Sequence, residues 1–204
     1  IQGEGGINVP PPGYLAEAER ICRANNVLLL CDEIQSGLGR TGRLLACQHE
    51  GVTPDGLMLG KALGGGMLPV SLFLARREVM QVFTPGDHGS TFGGNPIAAA
   101  IGTAALDILI DEHLVERAAS VGAYLIRRLS AIRSPVIREV RGRGLFAGVE
   151  LDRNKASTAT VIRRLLRAGV LTKDTHRNTI RFAPPLIIEE SQIDWAVERL
   201  TEVL

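Results

Sequence analysis

Apolar residues in the first part of the chain follow a helical spacing and then form short continuous runs. A helix is predicted over residues 14–25, because apolar side chains recur there once per helical turn. This stripe consists of Tyr14, Ala18, Ile21 and Cys22. Apolar runs follow at 27–31, 57–59 and 70–75, and the first is typical of a strand buried on both faces of a parallel sheet. The pattern predicts an α/β fold with a mainly parallel sheet.

Two long helices are predicted next. Asn95 and Pro96 begin the first, since Asn is a favoured N-cap and Pro is favoured at the first helical position. We expect this helix to run to Ile110. The second follows Asp111 and carries one apolar face. That face consists of Leu114, Ala118, Val121, Leu125, Leu129 and Ile132.

The rest of the chain predicts a smaller α+β domain. Its strands are expected at 136–140, 145–151 and 179–183, and a helix at 157–168 should end at Gly169. A last amphipathic helix closes the chain. Its apolar positions are Ile193, Ala196, Val197, Leu200 and Leu204.

The first 95 residues supply fewer strands than a parallel sheet needs. Three are predicted, whereas a typical sheet has about five or six. The chain also opens on the glycine-rich segment 1–6 (IQGEGG), with no element before it. We therefore expect the α/β domain to be incomplete, with residues missing before Ile1.

Composition excludes several classes of protein. With 23 basic and 22 acidic residues among 204, the net charge of +1 gives no field for nucleic acid or an anionic membrane. A hydrophobic fraction of 45% excludes disorder, and no apolar run approaches the roughly 20 residues of a membrane span. Three cysteines without CxxC spacing, and no secretory signal, predict reduced thiols in a cytoplasmic protein. The four scattered histidines predict no zinc site.

Candidate chemistry lies at the ends of the predicted parallel strands. Ligands of such sheets bind outside the carboxyl ends of the strands, where Asp32, Glu33 and Gln35 follow the first strand and Lys61 follows the second. A carboxylate and a lysine at adjacent strand ends could surround one ligand, and such a lysine can act as an amine nucleophile. Spacing alone slightly favours a solvated strand-end acid and an ordinary surface lysine over such a site.

Three glycine-rich segments could bind phosphate. Residues 37–42 match G-x-G-x-x-G but do not open a helix directly after a strand, as a dinucleotide site requires. Residues 60–62 (GKA) lack the glycine spacing and the hydroxyl residue of a P-loop. Residues 88–96 combine hydroxyls, glycines and a helix start, which suits an anion site. A plain helix-capping turn explains that segment equally well.

Three motifs, taken in order, resemble those of the class III aminotransferases, which have fold type I and use pyridoxal phosphate. They are residues 30–43 (LCDEIQSGLGRTGR), 59–66 (LGKALGGG) and 88–96 (HGSTFGGNP). Within this family, segments 1–6, 12–15 and 180–186 (IRFAPPL) are most similar to the ornithine aminotransferases. Acetylornithine aminotransferases usually vary the last of these segments.

The resemblance implies a role for each candidate residue toward the cofactor. Lys61 would bind pyridoxal phosphate covalently through its amino group and later carry a proton. Asp32 would keep the pyridine nitrogen protonated, and Gln35 would hydrogen-bond near the phenolic oxygen. Thr91, with Ser90, would reach the phosphate held by a neighbouring subunit, which implies a dimer.

The resemblance also implies two substrate-binding residues. Arg181 would bind the carboxylate of glutamate or 2-oxoglutarate, and Glu4 would neutralise Arg181 while ornithine presents its δ-amine. The reaction implied moves that amine to 2-oxoglutarate, giving glutamate semialdehyde and glutamate, in ornithine degradation or proline biosynthesis. An acetylornithine or other ω-amino-acid aminotransferase stays open.

The family's pattern further implies that the chain is the C-terminal half of a longer enzyme. Residues 1–95 would be the remainder of the large cofactor-binding domain. Residues 96–204 would be linking helices and the small C-terminal domain. The missing half would supply a phosphate-binding turn and a ring stacked on the cofactor. A homodimer, an assembly with a separate N-terminal half, and a non-catalytic remnant or assembly partner all stay open.

Overall fold

A computed structural model describes residues 1–176 and 178–204 of the chain. The helices are Tyr14–Ala24 (α1), Arg77–Met80 (α2), Pro96–Asp111 (α3), Leu114–Ser130 (α4), Thr158–Arg167 (α5) and Glu190–Val203 (α6). The strands are Leu30–Asp32 (β1), Gly56–Leu59 (β2), Leu72–Ala75 (β3), Ile137–Gly142 (β4), Ala147–Leu151 (β5), Lys173–Thr175 (β6) and Thr179–Phe182 (β7). Short 3₁₀ helices cover Ala46–Glu50 and Lys61–Gly64.

The chain forms two compact units. Unit 1 contains residues 1–10, 39–42 and 114–204, and unit 2 contains residues 11–38 and 43–113. These boundaries differ from the predicted division after residue 95, because α3 belongs to unit 2 while the first ten residues belong to unit 1. The assignment of 1–95 and 96–204 to a large and a small domain stays a prediction.

Unit 1 is built on a four-stranded antiparallel sheet with the order β4-β5-β7-β6. Helices α4, α5 and α6 pack on one face of this sheet. Their buried side chains, such as Leu129, Leu165 and Leu200, enclose Val149 and Ile180 of the central strands. Burial of these aliphatic side chains stabilises the unit by roughly 1.5–3 kcal/mol for each fully buried residue.

The opposite face of the unit 1 sheet is polar, since side chains alternate along each strand. It carries Lys173 and Thr175 of β6, directly opposite Arg181 and Thr179 of β7. A turn at the start of the chain covers this face. We call it the Glu4 loop (residues 2–8); it is closed by two backbone hydrogen bonds between its first and last residues.

Unit 2 contains a three-stranded sheet with the order β1-β2-β3. The parallel pairing of β1 with β2 agrees with the predicted α/β fold, but β3 runs antiparallel to β2. In the described residues, one of the two strand pairings of this sheet is therefore parallel, as expected, and the other is not. An antiparallel strand at the edge of a parallel sheet is a common arrangement.

Burial in unit 2 differs from the prediction. The run 27–31 was expected to be buried on both faces, yet β1 begins only at Leu30, and Val27, Leu28 and Leu30 are about half exposed. The helices that would cover such a strand do not lie on it within the described chain. Leu59 at the end of β2 is buried, as its apolar character predicts.

The predicted helices agree with the structure to within a few residues. Asn95 caps α3 by accepting the backbone N–H of Ala98 at 2.8 Å. The predicted apolar face of α4 is buried from Leu114 to Leu129, whereas Ile132 lies beyond the helix end and is partly exposed. Strand β6 and the short helix α2 were not predicted. Among the described residues, no helix combines the length and apolar character required to cross a membrane.

Candidate active site

Asp32 and Lys61 follow neighbouring parallel strands of unit 2. Asp32 is the last residue of β1 and is paired in register with Met58 of β2, three positions before Lys61. The two side chains are therefore presented from the same edge of the sheet, as predicted for a ligand site. Both residues are exposed. One oxygen of the Asp32 carboxylate accepts the backbone N–H of Ile34 at 3.0 Å, which orients the side chain.

The backbone of Lys61 is in the left-handed region, with φ of +45°. Such a conformation is uncommon for a residue with a side chain, and strained residues of this kind concentrate at functional sites. Lys61 also opens the 3₁₀ helix that packs on α3. A Cβ added at Gly102 of α3 would lie 3.7 Å from Leu63, an ordinary packing distance, so the two helices approach closely there.

Glu33 is buried and holds the turn after β1. Its carboxylate accepts the backbone N–H groups of Ala46 and Cys47, each at 2.8 Å, and the hydroxyl of Ser36 at 3.2 Å. Gln35 is partly buried in the same turn. Burial, followed by the charge of Glu33, raises the pKa of Cys47 to about 12. Glu33 thus fixes the loop from which Asp32 and Gln35 project.

The segment 88–96 remains exposed apart from Asn95, which is partly buried. Ser90 accepts the backbone N–H of Gly93 at 3.1 Å, so its hydroxyl belongs to the capping turn before α3. Ser90 and Leu63 line one groove of about 710 Å³ in unit 2. Thr91 is exposed. The capping interpretation is therefore correct for the local geometry, and an anion site here stays a prediction.

Glu4 and Arg181 form an ion pair in unit 1. Arg181 Nη1 lies 2.8 Å from Glu4 Oε1, and the arginine side chain is more buried than the glutamate, 22% against 62% exposed. Arg181 also lines a groove of about 670 Å³, with Phe182 and residues 183–185 at its edge. A guanidinium beside such a groove can bind a carboxylate by two parallel hydrogen bonds.

Two residues anchor the backbone of the Glu4 loop. The buried Thr175 donates its hydroxyl to the carbonyls of Gly3 and Glu4, at 2.9 and 2.8 Å. Arg141 Nε donates to the carbonyl of Gly6 at 2.9 Å, and Arg141 Nη1 forms a largely buried ion pair with Glu150 at 2.6 Å. Burial opposes ionisation of Glu150, but the bonds and charge of Arg141 lower its pKa overall.

Arg40 supports the strand end that carries Arg181. Its guanidinium donates to the carbonyls of Leu145 and Pro184. Burial, and then the charge of Arg181, lower the pKa of Arg40. Arg40 lies in the segment 37–42 that matches G-x-G-x-x-G, and this segment opens no helix, in agreement with the rejection of a dinucleotide site.

Several residues that surround Glu4 were not recognised as site residues from the sequence. Lys173 and Thr175 lie on the unpredicted β6, and Arg141 lies on β4. Lys173 and Thr175 are separated by one residue, so their side chains lie on the same face of the strand and make that face polar. The run is too short for this pattern to stand out. Within residues 1–176 and 178–204, no group of side chains is suited to bind a metal ion.

The sequence profile of the family "Aminotransferase class-III" matches residues 1–204. The chain belongs to the class III aminotransferases. Among curated proteins it is similar to the ornithine aminotransferase of Geobacillus sp. (strain WCH70), with 54% identity over 203 residues, and to that of Bacillus subtilis (strain 168), with 53% over 204. Each alignment covers 100% of the chain and 50% of the relative, so the chain spans about half the length of the curated relatives it matches.

Solved structures give the same family. The ornithine aminotransferase of Toxoplasma gondii ME49 has a TM-score of 0.96 at 48% identity, covering 100% of this chain and 49% of that one. The acetylornithine aminotransferase of Elizabethkingia anophelis has a TM-score of 0.94 at 46% identity, covering 100% and 52%. The fold prediction, a portion of a fold type I transferase, is confirmed. Class III aminotransferases use pyridoxal phosphate, which one Toxoplasma gondii structure holds at partial occupancy.

Proposed function

We propose that this chain supplies part of the active site of an ornithine aminotransferase. The reaction is transfer of the δ-amino group of ornithine to 2-oxoglutarate, giving glutamate semialdehyde and glutamate. The complete enzyme is this chain together with the residues that its relatives have in addition. The observation that carries the proposal is the 2.8 Å ion pair of Glu4 with Arg181, within a chain about half identical to ornithine aminotransferases.

The donor set in unit 2 fits pyridoxal phosphate. A carboxylate (Asp32) and an amine (Lys61) at adjacent strand ends can meet a ring nitrogen and a carbonyl, while Gln35 can reach the ring hydroxyl. Ser90 and Thr91 offer hydroxyls to a phosphate. When bound, the cofactor supplies a carbonyl that takes up an amino group and a ring that withdraws electrons from the neighbouring carbon.

Asp32 and Lys61 then have different tasks. Asp32 would pair with the ring nitrogen and favour its protonated form. Lys61 would hold the cofactor through Nζ, and the same amine would move a proton from the amine-bearing carbon of the substrate to the cofactor carbon that accepts the amino group. The exposure of Lys61 and its left-handed backbone support this assignment.

Glu4 and Arg181 let one site accept two kinds of substrate. Ornithine presents its δ-amine at a carbon that carries no carboxylate, so Arg181 stays neutralised by Glu4. With 2-oxoglutarate, the arginine must leave Glu4 and bind the carboxylate beside the reacting carbon. We place the enzyme in the cytoplasm as a dimer, with Thr91 directed to the cofactor phosphate of the neighbouring subunit. The exposure of Thr91 supports this last step.

The test is a substrate comparison with the complete enzyme loaded with pyridoxal phosphate. Formation of glutamate from 2-oxoglutarate is measured with ornithine and with N-acetylornithine as donors, and Lys61→Ala is the control. We expect ornithine to be used with the higher kcat/KM. Preference for N-acetylornithine would support the alternative suggested by the Elizabethkingia anophelis relative. No turnover with either donor would indicate a non-catalytic assembly partner.

A further inference from the structure

Lys173 is a further cation at the Glu4 carboxylate. Lys173 Nζ lies 3.6 Å from Glu4 Oε2, while Arg181 Nη1 lies 2.8 Å from Oε1. The two oxygens of one carboxylate therefore face two different positive groups. The lysine pair is the longer and more exposed of the two, with side chains 60% and 62% exposed.

The strand register brings the two cations together. Lys173 of β6 is directly opposite Arg181 of β7. Like charges in directly opposed positions of a sheet destabilise it. A carboxylate between them removes this repulsion, so Glu4 is stabilised in contact with either group.

The Glu4 backbone is fixed, which limits how the carboxylate can move. Thr175 holds the carbonyls of Gly3 and Glu4, and Arg141 holds that of Gly6. Motion of the carboxylate therefore occurs by rotation about the side-chain bonds of Glu4, between staggered positions. Because its side chain is 62% exposed, this rotation meets little steric resistance.

We propose that Lys173 determines dual substrate specificity by holding the Glu4 carboxylate while Arg181 binds the dicarboxylic substrate. The inference rests on the proposed function, in which 2-oxoglutarate takes Arg181 from Glu4. An ion pair that is broken without replacement costs its full interaction energy. With Lys173 already 3.6 Å from the other oxygen, Glu4 keeps one cation when Arg181 leaves and can close on it, so Arg181 is released at lower cost. Ornithine leaves the original pair intact and does not need Lys173.

The first experiment compares Lys173→Gln with wild type in the complete enzyme at low ionic strength, where exposed charges act most strongly. We expect KM for 2-oxoglutarate to rise about two- to fivefold, the range for one exposed ion pair, with KM for ornithine unchanged. Lys173→Arg should restore the wild-type value. Lys155→Gln is the matched control, since Lys155 is also exposed and lies 3.7 Å from the carboxylate of Asp152.

The second experiment separates an effect through Glu4 from direct attraction of the substrate. In a Glu4→Gln background, Lys173→Gln should leave KM for 2-oxoglutarate unchanged, because no carboxylate remains to be held. A rise of the same size in both backgrounds would show that Lys173 attracts the substrate itself and would overturn the proposal. Equal rises for ornithine and 2-oxoglutarate would also overturn it.

A third measurement needs no turnover. Glutarate is a five-carbon dicarboxylate without a reacting oxo group, and its Kd can be measured by calorimetry. We expect Lys173→Gln to weaken glutarate two- to fivefold in wild type and not in Glu4→Gln. If ornithine proves not to be a substrate, the proposed function fails, but this binding result still decides the role of Lys173. Unchanged glutarate affinity in Lys173→Gln refutes that role.

Discussion

The Glu4 carboxylate lies 2.8 Å from the guanidinium of Arg181, across 177 positions of the sequence. The pair joins the first turn of the chain to the central strand β7. In the proposed function, the closed pair accepts a substrate without a carboxylate at the reacting carbon, and the opened pair accepts a substrate with one.

Arg181→Ala should weaken 2-oxoglutarate far more than ornithine in the complete enzyme. Loss of one partner of such a carboxylate pair costs on the order of 2–5 kcal/mol. Arg181→Lys is the matched variant, since it keeps the charge but loses the two-pronged geometry. The measurement is kcat/KM for each substrate separately. Equal losses for both substrates would show that Arg181 is not the selective group.

Lys61 should carry the cofactor. The cofactor-loaded enzyme is reduced with borohydride and its peptides are mapped. The pyridoxyl label should lie on Lys61, because Lys61 follows β2, which pairs with the strand that ends at Asp32. Lys61→Arg should remain unlabelled. The chain's other lysines are Lys155 and Lys173, and a label on either of them would contradict the assignment.

The isolated 204-residue chain should be inactive and unevenly stable. Unit 2 exposes apolar side chains of β1, β3 and α3, whereas the large buried cluster lies in unit 1. Exposed apolar surface and unpaired strand edges favour association. Hydrogen exchange should be faster in β1 and β2 than in β5 and β7. Fluorescence of Trp195 should follow a later transition of unit 1. A monodisperse, active chain that melts in one step would refute this.

Cys47 should be protected from thiol reagents in the folded protein. The thiol is 2% exposed, and burial with the charge of Glu33 raises its pKa from 9.0 to about 12, so little reactive thiolate forms at pH 8. The folded state keeps this proton where the unfolded chain loses it. Stability should therefore fall as the pH rises from about 9 towards 12, and Cys47→Ala should remove that part of the dependence. Labelling of Cys47 at the rate of the partly exposed Cys22 would contradict it.

Gly144→Ala should destabilise unit 1 more than Gly169→Ala. Both glycines have left-handed backbones, which costs a substituted residue about 1–2 kcal/mol. A Cβ at Gly144 would in addition lie 2.4 Å from the carbonyl carbon of Thr41, whereas at Gly169 it would lie 3.2 Å from the edge of Trp195. Overpacking adds about 1–3 kcal/mol. Denaturant unfolding measures the difference, and equal losses would refute the close approach.

The helices were predictable because their signals are local. Asn95 and Pro96 specify the start of α3, and the apolar face of α4 predicts its burial from Leu114 onwards. The strand ends at Asp32 and Lys61 were predictable for the same reason. The exposure of Val27 could not be predicted. Burial of an apolar run depends on which elements cover it, and the sequence of the run is the same whether it is covered or not.

The contacts around Glu4 could not be derived from spacing. Thr175 and Arg141 reach the Glu4 loop from 171 and 135 positions away, and nothing local marks them as its partners. Only the resemblance to a family paired Glu4 with Arg181. The position of Lys173 opposite Arg181 depends on the register of a three-residue strand, which periodicity cannot define.

The hydroxyl of Thr175, which holds the Glu4 loop, has a consequence for synthesis on the ribosome. The loop leaves the exit tunnel before its anchor, which is made 172 residues after Gly3. At about 5–20 residues per second, this delay is roughly 9–35 s. Throughout that time Ile7, which is fully buried in the finished fold, has no sheet to cover. The Glu4 loop is thus translated well before its native contacts exist, and a chaperone acting on the nascent chain would meet it unfolded.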